Sequence, residues 1–253
     1  MNRRARIFAI TAAWLLSAVP PQAQTAKGIR TAWGEPDLGG VWKLAEPLGA
    51  RPGRDTYNLA ALEKLYRPAA RANASAKDDP ALRCRPSAFP RAATMGGSIQ
   101  VVQSPGLVHV FTEVFPTYRI IPTDGKRRLT ADYLVPYFMG SSAGRWDGDT
   151  LVVDVISLSG ESWLASSEDR PTSASPGVWP TSDERHVTER WRRSAADTLE
   201  YQAHIEDPTV LTAPWDTPRM ALKKQNVDRI DEALCLERDG AETYLERFGF
   251  RRR

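Results

Sequence analysis

The chain has few residues of the kinds that usually carry metal or thiol chemistry, with two cysteines and three histidines in 253 residues. So few ligands, scattered along the chain, do not make a zinc site. Long apolar runs are equally scarce. The one uncharged run is Ile7–Val19 (IFAITAAWLLSAV), and no later segment is apolar enough to cross a membrane. It follows Arg3, Arg4 and Arg6 and is broken by Pro20 and Pro21 before the small residues around Ala23–Ala26. That layout is a secretory signal peptide and too short for a comfortable span, so residues 1–26 are assigned to targeting. A periplasmic or secreted location follows, with no stable membrane insertion after cleavage. Excess charge of one sign is missing too. The formal charge is +3, and the signal alone holds three arginines and no acid, so the mature chain is neutral apart from its termini. Nucleic acid is therefore not an expected partner, and Arg251–Arg253 reads as a solvated end.

Catalytic signatures are absent as well: no nucleophile elbow, no His-Glu-x-x-His helix and no phosphate-cradling glycine loop. The stretch MGSSAG (Met139–Gly144) opens a strand instead of a helix. No metal and no organic cofactor is implied. Cys84 and Cys235 would meet oxidising conditions outside the cytoplasm. A bridge tying the lead-in to the last strand competes there with two independent buried thiols.

About 230 residues remain, enough for one sizeable domain with an extended lead-in. Residues 27–97 are irregular and proline-rich, with one helix around Leu59, Leu62, Leu65 and Tyr66, Asn58 as its N-cap and Pro68 marking a kink or an end. DLGGVWKL before it reads as a short strand anchored by Trp42. From residue 98 to 253 short strands alternate with turns. SIQVVQS, LVHVFTEVF and TYRIIPT come first, then SAGRWDGD and TLVVDVIS joined through Asp147-Gly148. HVTERWRRS and TLEYQAHIED, joined at Ala196-Asp197, follow, and TPRMALKKQ and EALCLER finish the set. Even spacing with hairpin-length connections predicts an all-β fold: an antiparallel up-and-down, lipocalin-like barrel of about eight strands, since an open meander would leave two apolar edges. A two-sheet sandwich is the alternative. The serine-, proline- and glycine-rich loop Ser159–Ser182 is expected at one mouth.

Strand alternation sorts the side chains. Leu199, Tyr201, Ala203 and Ile205 form a core face, which leaves His204 on the surface. Val187, Glu189 and Trp191 share a face, so Glu189 points inward and needs a partner. Asp154 lies among valines with both faces of its strand apolar, and is expected inside. His109, Phe111 and Glu113 share a face, and Arg119 follows in the next strand as a partner for any of these acids. The structural reading of each carboxylate, as a hydrogen-bond partner or strut, stands beside the functional one.

RIIPTDGK, GSSAGRWDGDTLVVDV, HVTERWRR and DTLEYQAHIEDPTVLTAPW, in this order, resemble successive motifs of a large, mostly uncharacterised family of secreted bacterial β-rich proteins. Typical members read R-I-I-Y-T-D-G-R, G-x-S-x-G-x-W-E-G-D-T-L-V-V-D-T, L-H-V-x-E-R-F-R and D-P-x-x-Y-x-x-P-W. DDPALRCRPSAFPR is similar to that family's Cys-x-Pro segment and ALCLER to its cysteine-containing terminal strand, so the resemblance covers nearly all of the mature chain. It implies a secreted β-rich domain and little about reaction. Its motif positions fall here on Arg119, Asp124, Gly125, Gly144, Trp146, Asp149, Asp154, His186, Glu189, Arg190, Asp207, Pro208 and Trp215. Asp147 stands where the family has Glu, and the loop after Asp154 lacks the family's histidine.

The leading expectation is a secreted or periplasmic barrel that binds a small apolar or aromatic molecule, with Glu113, Arg119, Trp146, Trp191 and His109 as binding residues. The alternative is cofactor-independent acid–base chemistry (a lyase, isomerase or hydrolase step) in the lumen by His186, Glu189 and Asp154. A structural or interaction module of the cell envelope is the third reading.

Overall fold

The computed structural model describes residues 29–45, 58–128, 135–166 and 177–233. The signal segment, Cys235 and most of the expected last strand lie outside the described residues. Period-two alternation dominates what is described. The lead-in holds β1 (Gly40–Leu44), two short helices, α1 (Leu59–Glu63) and α2 (Pro68–Arg71), and 3-10 turns at Ala76–Asp78, Pro80–Arg83 and Arg91–Ala93. There follow β2 (Ser98–Ser104), β3 (Leu107–Thr112), β4 (Thr117–Pro122), β5 (Ser141–Asp147) and β6 (Thr150–Ile156). The long loop carries β7 (Ala165–Ser166) and β8 (Val178–Trp179), and the chain continues with β9 (His186–Ala195), β10 (Thr198–Glu206), β11 (Trp215–Asp216) and β12 (Met220–Lys224).

Among the described residues nine strands form one antiparallel path, β4-β3-β2-β1-β12-β10-β9-β6-β5, with the short β11 on the side of β10 and β7-β8 a separate ladder. Read around the ring, these staves follow one another in chain order, as an up-and-down barrel requires. The two ends of the path meet where the Gly125 N–H donates to the Gly144 carbonyl at 2.8 Å and Asp124 bridges antiparallel to Arg145. The sheet is therefore a nearly closed barrel and not a two-sheet sandwich. Gly144 allows this seam: a Cβ there would stand 2.8 Å from Ile121 Cγ2 and 3.1 Å from the Pro122 carbonyl.

The inward faces supply the core. Trp42, Ile99, Ile121, Val153, Trp191, Leu199 and Tyr201 are all buried, and each such side chain contributes about 1.5–3 kcal/mol. β1 is a full stave between β2 and β12, so the lead-in contributes to the barrel wall.

Local differences from the sequence reading have simple causes. Asn58 precedes α1 in a left-handed conformation and makes no side-chain cap. Pro68 starts α2 at its first turn, where its missing N–H costs nothing. Asp147 pairs with Thr150, so the two turn residues are Gly148 and Asp149, with Gly148 supplying the positive φ of 59°. Asp149 accepts from Arg30.

Candidate functional site

Inside the barrel, β9 presents Glu189 and β4 presents Arg119. The two meet in a bidentate pair at 2.7 and 2.6 Å, with 3% and 1% of their side chains exposed. The Trp191 indole donates to the same carboxylate at 2.8 Å. Phe89 lies under the guanidinium at 4.9 Å, and Trp191 and Tyr201 pack edge-on at 4.5 Å. Burial opposes the Arg119 charge, but Glu189 more than offsets it and holds the guanidinium above its ordinary range. Three aromatic rings and an ion pair fill this part of the lumen, so Glu189 and Arg119 are a paired strut in a dry setting.

The other expected lumen residues sit elsewhere. In β6 the inward residues are Leu151, Val153 and Val155, opposite Trp191, Glu189 and Val187, which puts Asp154 on the outer face with its side chain 42% exposed. The neighbouring Val152 is buried although it faces outward. Arg145 and Arg190 flank it across the strands, and aliphatic stems of this kind cover apolar surface while their heads reach water. That is why both faces of β6 look apolar in sequence. His109 and Phe111 likewise face outward, because Val108 and Val110 take the core side. Glu113 accepts from the Ser98 N–H at 2.6 Å and closes the β2–β3 end. Trp146 packs partly buried against the core. The three acids Glu113, Asp154 and Glu189 therefore do not converge on one space.

What the structure does assemble is a polar chain on the outer wall. His186, the first residue of β9, stands beside Glu206, the last of β10. Its Nδ1 lies 3.0 Å from Glu206 Oε2 and its Nε2 2.5 Å from Asp154 Oδ1. Asp154 is paired through its other oxygen with Arg127, which also donates to the Ser141 carbonyl. An imidazolium donates from both nitrogens and satisfies both carboxylates, whereas a neutral ring satisfies only one.

His186, Glu206, Glu184 and Arg67 line a cleft of about 380 Å³ that also has Pro208, Leu211, Ala213 and Pro214 in its wall. The lead-in holds that wall in place. Arg67 Nε donates to the Pro208 and Leu211 carbonyls, both at 3.1 Å, and the Thr212 N–H donates to Leu65 at 2.8 Å. Asp207 is buried and accepts from the Ser182 N–H at 2.9 Å and its hydroxyl at 2.7 Å. The Tyr66 hydroxyl donates to Pro180 at 2.7 Å. Burial, reinforced by the Asp207 carboxylate, pushes its pKa up, so the phenol stays a donor.

Sequence reasoning singled out Asp154 and His186, and the resemblance named Pro208, but Arg127, Glu206, Leu211, Ala213 and Pro214 were missed. Alternation puts Glu206 on the same solvent side as His204, and only cross-strand register pairs it with His186. A second buried pair, Arg91 with Asp79 at 2.9 and 2.5 Å, lies in the lead-in, where no periodicity points to it. Among the described residues, no group of three or more His, Cys, Asp and Glu is placed to hold a metal ion, and no helix is long and apolar enough to cross a membrane.

Fold and site together define an antiparallel barrel with a packed ion pair inside and its accessible polar chemistry on the outer wall. No family model matches the chain, and a search of curated proteins finds no match.

Proposed function

We propose that the mature chain is an exported barrel that binds a small molecule with an apolar or aromatic body in the His186–Glu206 cleft. The supporting observation is the meeting, in one cleft, of an apolar wall (Pro208, Leu211, Ala213, Pro214) with a polar end (His186, Glu206). Its volume is of the order found for small-ligand sites, roughly 300–1,000 Å³. Three positions named by the family resemblance, His186, Asp207 and Pro208, line it, which supports the same reading. Acid–base catalysis has less support, because both nitrogens of His186 are engaged by carboxylates and Arg127 neutralises Asp154. Export rests on the N-terminal segment, and recovery of a processed chain from the periplasm or medium checks it.

A thermal-shift screen of the purified mature protein against small aromatic amines and alcohols tests the binding reading. Hits should lose their shift in Ala213→Arg, which fills the cleft from an exposed position and should leave the ligand-free melting temperature unchanged. Glu206→Gln should weaken the same hits by about tenfold, the loss of one charge-assisted hydrogen bond. Hits that survive Ala213→Arg at full strength place the ligand elsewhere and defeat the proposal.

A further inference from the structure

The outer faces of β6, β9 and β10 carry a second polar feature at the other end of these strands from His186. Register sets Thr150, Arg192 and Glu200 in one row and Val152, Arg190 and Gln202 in the next. On the far side of β10, Ala221 stands opposite Glu200 and Met220 opposite Tyr201. Alternation then brings Arg219, one residue before Met220, beside Gln202 on the outer face. Directly opposed side chains lie about 5 Å apart at Cβ, so two guanidinium groups of β9 and that of Arg219, just before β12, ring one small depression. The depression has a volume of about 120 Å³, with Thr150, Arg190, Arg192, Glu200, Gln202 and Arg219 in its lining.

The arginines are poorly neutralised. Arg219 is 3.5 Å from Glu200. Arg190 is 3.7 Å from the exposed Asp147, beyond ordinary hydrogen-bond distance. Arg192 is exposed and has no hydrogen bond or ion pair among the described residues. The lining thus sets three fixed positive charges against one carboxylate, with the Thr150 hydroxyl as a further donor. Guanidinium groups cannot shed their protons at neutral pH, so a bound anion would relieve the repulsion that Glu200 and solvent leave among them. Their planar forks suit the paired oxygens of phosphate or sulfate, and the depression is small enough to hold one such group.

We propose that this depression is a binding site for a tetrahedral oxyanion, phosphate or sulfate, free or carried as an ester on a larger ligand. The site is separate from the His186–Glu206 cleft, and its success or failure does not depend on that reading.

Isothermal titration of the full mature protein with sodium phosphate, in sodium chloride at matched ionic strength, tests it. The expected result is saturable binding that weakens at least tenfold in the Arg190→Gln/Arg192→Gln double variant and severalfold in Arg219→Gln. Arg128→Gln, on an exposed arginine paired with Asp124, should bind as the wild type does, as should Ala213→Arg. Phenyl phosphate and sodium acetate distinguish the source: tighter binding of the ester marks a ligand-borne group, and tighter binding of inorganic phosphate marks the free ion. Unchanged affinity in both the double variant and Arg219→Gln overturns the site, as do acetate binding as tightly as phosphate and a heat of binding that chloride alone removes.

Discussion

Glu189 and Asp154 carry the same charge on neighbouring strands, yet their surroundings assign them opposite energetics. Glu189 is sealed against Arg119 and Trp191, and Phe89 lies under the guanidinium, so removing its charge strands a guanidinium in a medium that cannot solvate it. Glu189→Gln should therefore cost about 3–5 kcal/mol in urea unfolding, most of which returns when Arg119→Met is combined with Glu189→Leu. Asp154→Asn, on the wet outer face with Arg127 and His186, should cost about 1 kcal/mol or less. A Glu189→Gln protein within 1 kcal/mol of wild type contradicts the strut assignment. The inward direction of Glu189 was legible because Val187 and Trp191 bracket it with a two-residue period. Asp154 was not, because Val152 is buried on the wet face under arginine stems, and no single-strand pattern distinguishes that from a second core. Arg127 was invisible for another reason: it lies between β4 and β5, where alternation makes no statement.

At the scale of elements, the β4–β5 seam is the weakest join in the ring. Neighbouring staves elsewhere share ladders of several paired residues, whereas among the described residues this one rests on the Gly125–Gly144 hydrogen bond and one bridge. Gly144→Ala places a methyl 2.8 Å from Ile121 Cγ2 and should cost about 1–3 kcal/mol, as overpacking does. Hydrogen exchange should show the Gly125 amide losing protection while the β9–β10 amides keep theirs. Equal protection at Gly125 in both proteins would mean that the seam accommodates the methyl. Most strands were readable because hairpin turns and alternation are local signals. The seam was not, since it depends on what a missing side chain allows at a strand remote in sequence. The cleft was hidden for the same reason: its wall is a loop held by Arg67 of the lead-in, more than a hundred residues away.

At the scale of the molecule, the decisive join is β1 with β12. Trp42 pairs with Lys224 and Leu44 with Leu222, so the first and last described staves are neighbours and the ring cannot form without both. A chain truncated after Pro218 lacks β12 and exposes the edges of β1 and β10. It should lose cooperative unfolding by calorimetry instead of merely melting lower, and a sharp transition in that chain would show that the remaining staves close without it. The barrel was legible as a class from its regular strands, while the lead-in's share in it was not, because a five-residue strand before two helices gives no sign of its partner.

Placing the first stave against the last also sets a clock. Nearly the whole length from Gly40 to Lys224 must be made before β1 finds β12. Until then the chain is an unfinished ring with unsatisfied strand edges at both ends, a state prone to pairing with other chains. The edges of β1 and β12 are thus the last to be satisfied in a growing chain.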